Sequence, residues 1–166
     1  MRRVLALLFV AAIVVACART PAATAPPTPS PTPTAAPSGS FLTMGQAAAA
    51  YSKVAGPYND AIDAAQKRYA VRTTLEEHQR YWARIAKADA AFISGLKKIA
   101  FPPEVQADVA LLIKAEELFH QHALATSHSR NAGEILSSSA VANAAAEAAT
   151  AKAGKLREAL GLGPSV

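Results

Sequence analysis

The spacing of apolar residues changes three times along this chain. From Val4 to Ala16 every residue is apolar. From residue 18 to 40 apolar bulk is nearly absent. Beyond Met44, apolar residues recur every three or four positions, which places them on one face of an α-helix. Tyr51, Val54, Tyr58, Ile62, Ala65 and Tyr69 share a face of a first helix, from about Met44 to Arg72. Trp82, Ile85, Ala86, Ile93, Leu96 and Ala100 mark a second, from Leu75 to Ala100. Val105, Val109, Leu112, Phe119 and Ala123 mark a third, from Pro103 to about Thr126. The fourth, from Asn131 to about Leu160, carries a stripe of small residues: Ile135, Ala142, Ala146, Ala149, Ala153, Leu156 and Leu160.

Start and stop signals agree with these stripes. Thr43 with Gln46 and Thr73 with Glu76 have the spacing of capping boxes. Pro103 suits a first helical position, and Asn131 with Glu134 opens the fourth helix. Gly161 and Gly163 stop it, with Pro164 beyond. Gly56-Pro57 interrupts the first helix, so a kink or a break is expected there. Short connections make consecutive helices antiparallel neighbours. The predicted fold of residues 41–166 is all-α, an up-down-up-down four-helix bundle. An alanine-rich composition without Asn-Gly or Asp-Gly hairpin turns points the same way.

The apolar run at the start reads as an export signal. Thirteen residues of helix reach only about 20 Å, short of the roughly 30 Å hydrocarbon core of a bilayer. Arg2 and Arg3 precede the run, and Cys17, the chain's one cysteine, follows it. Val14-Val15-Ala16-Cys17 resembles a lipobox, and residues 1–16 resemble the signal peptide of a bacterial lipoprotein. The resemblance implies cleavage between Ala16 and Cys17, acylation of the Cys17 thiol, and a lipid-anchored protein on the extracytoplasmic side of the cell membrane. Residues 17–40 are then the lipidated cysteine and a stalk. Seven of the chain's eleven prolines fall there, interleaved with Thr, Ser and Ala. That composition favours extended polyproline II, which advances about 3.1 Å per residue.

Charge narrows the partners. The formal charge of +5 becomes +3 once Arg2 and Arg3 are removed with the signal. The basic residues are spread along the sequence, which argues against nucleic acid and leaves membrane lipid through Cys17, an envelope protein or a wall polymer as partners. With Cys17 acylated no thiol remains, so packing alone must hold the fold.

Polar residues inside the apolar stripes are the candidates for chemistry. Glu116 and His120 lie one turn apart on the core side of the third helix. Asp89 lies between Trp82 and Leu96 on the second helix, with His78 at the edge of the same stripe. Buried carboxylates need a partner, a metal or a wet end of the bundle. Imidazole and carboxylate form a reasonable metal-ligand set, so Glu116, His120, His78 and Asp89 are metal candidates. The alternative is structural: Glu116 and His120 satisfy each other as an i,i+4 pair, and Asp89 bonds a tyrosine hydroxyl of the first helix. Glu117-Leu-Phe-His120 matches the Glu-x-x-His of ferritin-like sites, which need it twice, and it occurs once. Ser137, Ser138 and Ser139 lack a nucleophile-elbow frame, and no phosphate loop or zinc-type cysteine pair is present. The sequence implies no cofactor and no enzyme.

Ala55-Gly-Pro-Tyr-Asn59, Phe101-Pro-Pro-Glu-Val105 and Leu156-Arg-Glu-Ala-Leu-Gly-Leu162, with the lipobox and the Pro/Thr stalk, give the chain a wider likeness. It resembles helical lipoproteins of actinobacterial type that have no assigned activity. The likeness implies an architecture and a compartment, and of residue roles only that of Cys17 as lipid acceptor. Two function classes follow. One is a displayed interaction domain acting on an envelope component. The other is a bundle that binds a small ligand or a metal, as a scavenger or sensor.

Overall fold

Local capping chemistry sets where each helix begins. The computed structural model describes residues 40–163. The segment expected to be a signal peptide, Cys17, nearly all of the expected stalk and Pro164 lie outside the described residues. Helix α1 spans Met44–Arg68, α2 Leu75–Leu96, α3 Gln106–Ser127 and α4 Ala132–Ala159. One 3-10 turn, Pro103–Val105, leads into α3. Among the described residues there is no strand. The four helices pack as the expected four-helix bundle, α1 on α2, α2 on α3 and α3 on α4.

Thr43 and Gln46 form the expected capping box at α1. At α2 the box is shifted by one residue, to Thr74 with Glu77. The Glu77 carboxylate accepts from the backbone N–H of both Thr73 and Thr74, at 2.9 and 3.0 Å, while Glu76 pairs with Arg80. Asn131 accepts from the Glu134 N–H at 2.9 Å to open α4. The far end of α4 closes as a Schellman motif. Gly161 takes φ 72°, its N–H reaches the Glu158 carbonyl, and the Leu162 N–H reaches that of Arg157 at 2.8 Å.

Two helix ends fall short of the sequence reading. α1 stops at Arg68 rather than Arg72, and α2 at Leu96 rather than Ala100. Arg72 turns back instead, donating to the Tyr69 carbonyl at 2.6 Å and lying over the Tyr81 ring. The break considered at Gly56-Pro57 does not occur, because α1 is continuous through Pro57. Proline removes only the bond to the Lys53 carbonyl, and Pro57 sits on an exposed face where water can serve that carbonyl.

The core has two apolar clusters, one toward each end of the bundle. Tyr51, Phe92, Leu96, Leu112 and Leu156 anchor the first. Trp82, Ile85, Ala86, Phe119 and Ala123 anchor the second. Alanines 142, 145 and 149 of α4 are buried, which lets α3 approach closely. Gly95 does the same for α1, since a Cβ there would collide with the Val54 side chain. α1 and α4 pack only loosely against each other, and the space between them positions the site described next.

Candidate functional site

The interval between the two apolar clusters is occupied by acids. Asp89 of α2 lies between Ala86 and Phe92, and Glu116 of α3 lies between Leu112 and Phe119. Both side chains are buried, at 0 % and 3 % exposure. They face each other because α2 and α3 are antiparallel and each acid stands thirteen residues from the Pro102-Pro103 turn. Neither Asp89 oxygen meets a hydrogen-bond donor, and neither does Glu116 Oε2. Two carboxylates in that position repel, and each has lost its hydration. The pair is satisfied when one carboxyl keeps its proton and donates it to the other. Burial is the main cause that raises both groups above the ordinary carboxylate range, and for Asp89 the charge of Glu116 adds to it.

Above this pair the bundle is open. A cleft of about 450 Å³ runs between α1 and α4, with Glu116 reaching its floor. Tyr51, Tyr58 and Ile62 form the α1 wall, Ala146, Ala149 and Thr150 form the α4 wall, and Trp82, Phe92 and Phe119 continue the floor. Tyr58 stacks on Phe92 with centroids 4.6 Å apart, and Tyr51 meets Phe92 edge-on at 6.3 Å. Burial pushes both tyrosine hydroxyls up. Glu116 adds to the rise in each case, while Arg157 opposes it at Tyr51. Arg157 lines the cleft near the end of α4, where its guanidinium also donates to the Gly163 carbonyl at 3.2 Å. The cleft is thus lined largely by aromatic and small apolar side chains, and Glu116 borders its floor.

The four metal candidates are only partly brought together. Asp89 and Glu116 meet. His120 stands beside them with its Nδ1 3.8 Å from Asp89 Oδ2, too far for a hydrogen bond. That nitrogen donates instead to the Ala86 carbonyl at 3.0 Å, which fixes the hydrogen on Nδ1. His78 is eleven residues from Asp89 along α2, about 16 Å by helical rise. Among the described residues no three His, Cys, Asp or Glu side chains converge as a metal site.

The structural reading of these residues also changes. Glu116 faces Asp89 and not His120, because α2 supplies a closer partner across the interface than the next turn of α3 does. Asp89 bonds no tyrosine hydroxyl, since its side chain points to α3 and not to α1. Glu117 points away and pairs with Lys97 at 2.6 Å. Ser139 accepts from the Trp82 indole N–H at 3.1 Å, a bond between α2 and α4. The α1–α4 cleft, with Arg157 and Thr150 on its wall, had no forewarning in the periodicity. Asp89 opposite Glu116 had one, their equal distance from the Pro-Pro turn.

Among the described residues no helix is long and apolar enough to cross a membrane. No family model, curated protein or solved structure matches the chain.

Proposed function

We propose that the chain is a lipid-anchored envelope protein whose helical domain binds a small organic cation in the α1–α4 cleft. The observation that carries this reading is the buried Asp89–Glu116 pair, to which no other residue supplies a donor for Asp89 or Glu116 Oε2, and which borders the cleft through Glu116. An ammonium or amidinium group supplies the missing donors and a compensating charge. The rings of Tyr51, Tyr58, Trp82 and Phe92 suit the same ligand, because aromatic faces attract cations. The cation displaces the proton that the two acids share, so affinity rises with pH where the pair ionises. Anchoring rests on Val14-Val15-Ala16-Cys17, and Cys17→Ser is expected to abolish incorporation of labelled acyl chains.

The test is calorimetric titration and thermal melting of the full chain with tetramethylammonium, benzylamine and putrescine as probes. At a hundred times its Kd, a ligand of the native state stabilises by about 2.7 kcal/mol, a shift of several degrees. Glu116→Gln should remove that shift. If no probe moves the melting point, or if all act equally on the variant, the cleft is not a cation site.

A further inference from the structure

On the opposite side of α1 lies a second concavity of different character. The interface of α1 and α2 leaves an open trough of about 1010 Å³, floored by Val54, Ala61, Ala64, Ala91, Phe92 and Gly95. It exists because Gly95 lets the helices close while their outward positions carry mostly alanine. Five basic residues rim it: Lys53, Lys67 and Arg68 from α1, Arg84 and Lys87 from α2. All five are exposed. Elsewhere Arg80, Lys97 and Arg130 are paired with carboxylates, but none of the rim cations forms an ion pair among the described residues. The rim includes no acid. Along α1 the nearest acids are Asp60, between Lys53 and Lys67, and Asp63, one turn before Lys67. Beyond Arg68, in the turn to α2, Val71 is 79 % exposed.

Part of this has a local cause. Lys67 and Arg68 stand in the last turn of α1, where the helix dipole favours cations. Arg68 and Arg84 lie 5.8 and 5.9 Å from the centre of the Tyr69 ring. Neither cause accounts for Lys53 and Lys87, for the lack of acids, or for the apolar floor between the cations. Charge alone can hold a polyanion in solution, and it gives no role to the apolar floor. Charge around an apolar floor matches an interface where phosphates lie beside hydrocarbon.

We infer that the α1–α2 trough is a face that docks on a bilayer of anionic phospholipid, with headgroup phosphates at the five cations and the apolar floor and Val71 against the interfacial region. This surface lies across α1 from the α1–α4 cleft and shares with it only Tyr58 and Phe92, and the proposal does not depend on a ligand in that cleft. Docking of this kind is additive in charge, and each rim cation removed should weaken it about fivefold. It should also fade as salt screens the surface.

The test uses the full chain with Cys17→Ser, carrying an environment-sensitive dye at Ala61→Cys on the trough or, as control, at Ala144→Cys on α4. Each is mixed with phosphatidylglycerol–phosphatidylcholine vesicles, with phosphatidylcholine vesicles, and with a polyanion without lipid. The expected result is a blue shift at position 61 with the anionic vesicles alone. That shift should be quenched by brominated lipid, reversed by high salt, and absent at position 144. Combining Lys67→Glu, Arg84→Glu and Lys87→Glu should abolish it, with helicity checked by circular dichroism. If those substitutions unfold the domain, the salt and lipid comparisons on the unaltered rim still decide. An aqueous spectrum with anionic vesicles overturns the proposal. So does an equal shift with neutral vesicles, with the polyanion, or at position 144.

Discussion

At the scale of single residues, Asp89 and Glu116 set how the domain responds to pH. Their folded values are raised, Glu116 to about 7 and Asp89 to about 8, so the fold holds their protons more tightly than the unfolded chain does. Stability from this source is fully present below the ordinary carboxylate range and is lost as pH rises through the raised values. The groups facing the pair are Tyr51 and Tyr58 from α1, His120 from α3 and, through Tyr51, Arg157 from α4. The melting temperature of the empty domain should therefore fall between about pH 5 and about pH 9. In Glu116→Gln the amide donates to the Asp89 carboxylate and one buried charge disappears. That variant should be more stable by on the order of 1 kcal/mol at neutral pH, with a flatter pH profile. Thermal melts across the pH range read both outcomes, and a variant as steep as the wild type would remove the coupling from the account. Zinc and copper should leave the wild-type melting point nearly unmoved, because His78 lies turns away and His120 Nδ1 is committed to the Ala86 carbonyl. A metal-dependent rise that both Glu116→Gln and His120→Ala abolish would reverse that assignment.

At the scale of helices, the close approach of α1 to α2 turns on one glycine. In an exposed helix interior, alanine is better than glycine by about 1 kcal/mol. At Gly95 that gain meets a collision. An added Cβ lies 3.1 Å from Val54 Cγ2 and 3.4 Å from Val54 Cβ, and closer still to Cγ1. Rotation of a β-branched side chain cannot clear all three atoms, so the helices must part. Gly95→Ala should cost about 1–3 kcal/mol in chemical unfolding. In a Val54→Ala background the same substitution should become neutral or stabilising. If it costs as much there, the collision is not the cause. The same scale shows what the sequence could disclose. A helix and its buried face are local properties, so the stripes through Tyr51, Trp82, Leu112 and Leu156 were legible as periodicity. The meeting of Asp89 with Glu116 was legible too, as two polar interruptions equidistant from a Pro-Pro turn. Which helices close tightly is decided by complementary shapes on separate segments, and periodicity carries no term for it. The loose α1–α4 edge, and with it the shape of the cleft, is therefore not legible in the periodicity. Nor is the gathering of Lys53, Lys67, Arg68, Arg84 and Lys87, which look scattered in sequence until α1 and α2 lie side by side.

At the scale of the whole molecule, the question is where the folded unit begins. Thr43 caps α1, yet the contacts do not stop at the cap. The Leu42 N–H donates to the Ala100 carbonyl at 2.9 Å, and the Leu42 side chain packs on the cluster of Tyr51, Leu96 and Phe101. That bond ties the approach to α1 onto the segment after α2, across the end of the bundle. Phe41, one residue earlier, is 55 % exposed. The folded unit thus begins near Leu42, close to the end of the proline-rich composition and before the first helical turn. A chain starting at Ser40 keeps every one of these contacts and should melt within a degree or two of the form starting at Cys17. A chain starting at Thr43 loses the Leu42 side chain and a backbone partner for Ala100. It should be weaker by about 1–3 kcal/mol, the cost of one half-buried leucine together with an unmet carbonyl. Urea unfolding of the three lengths separates the contributions. Equal stability at Ser40 and Thr43 would move the boundary into α1. A large loss already at Ser40 would mean that residues 17–39 pack on the bundle, and the reading of that segment as a tether would fail.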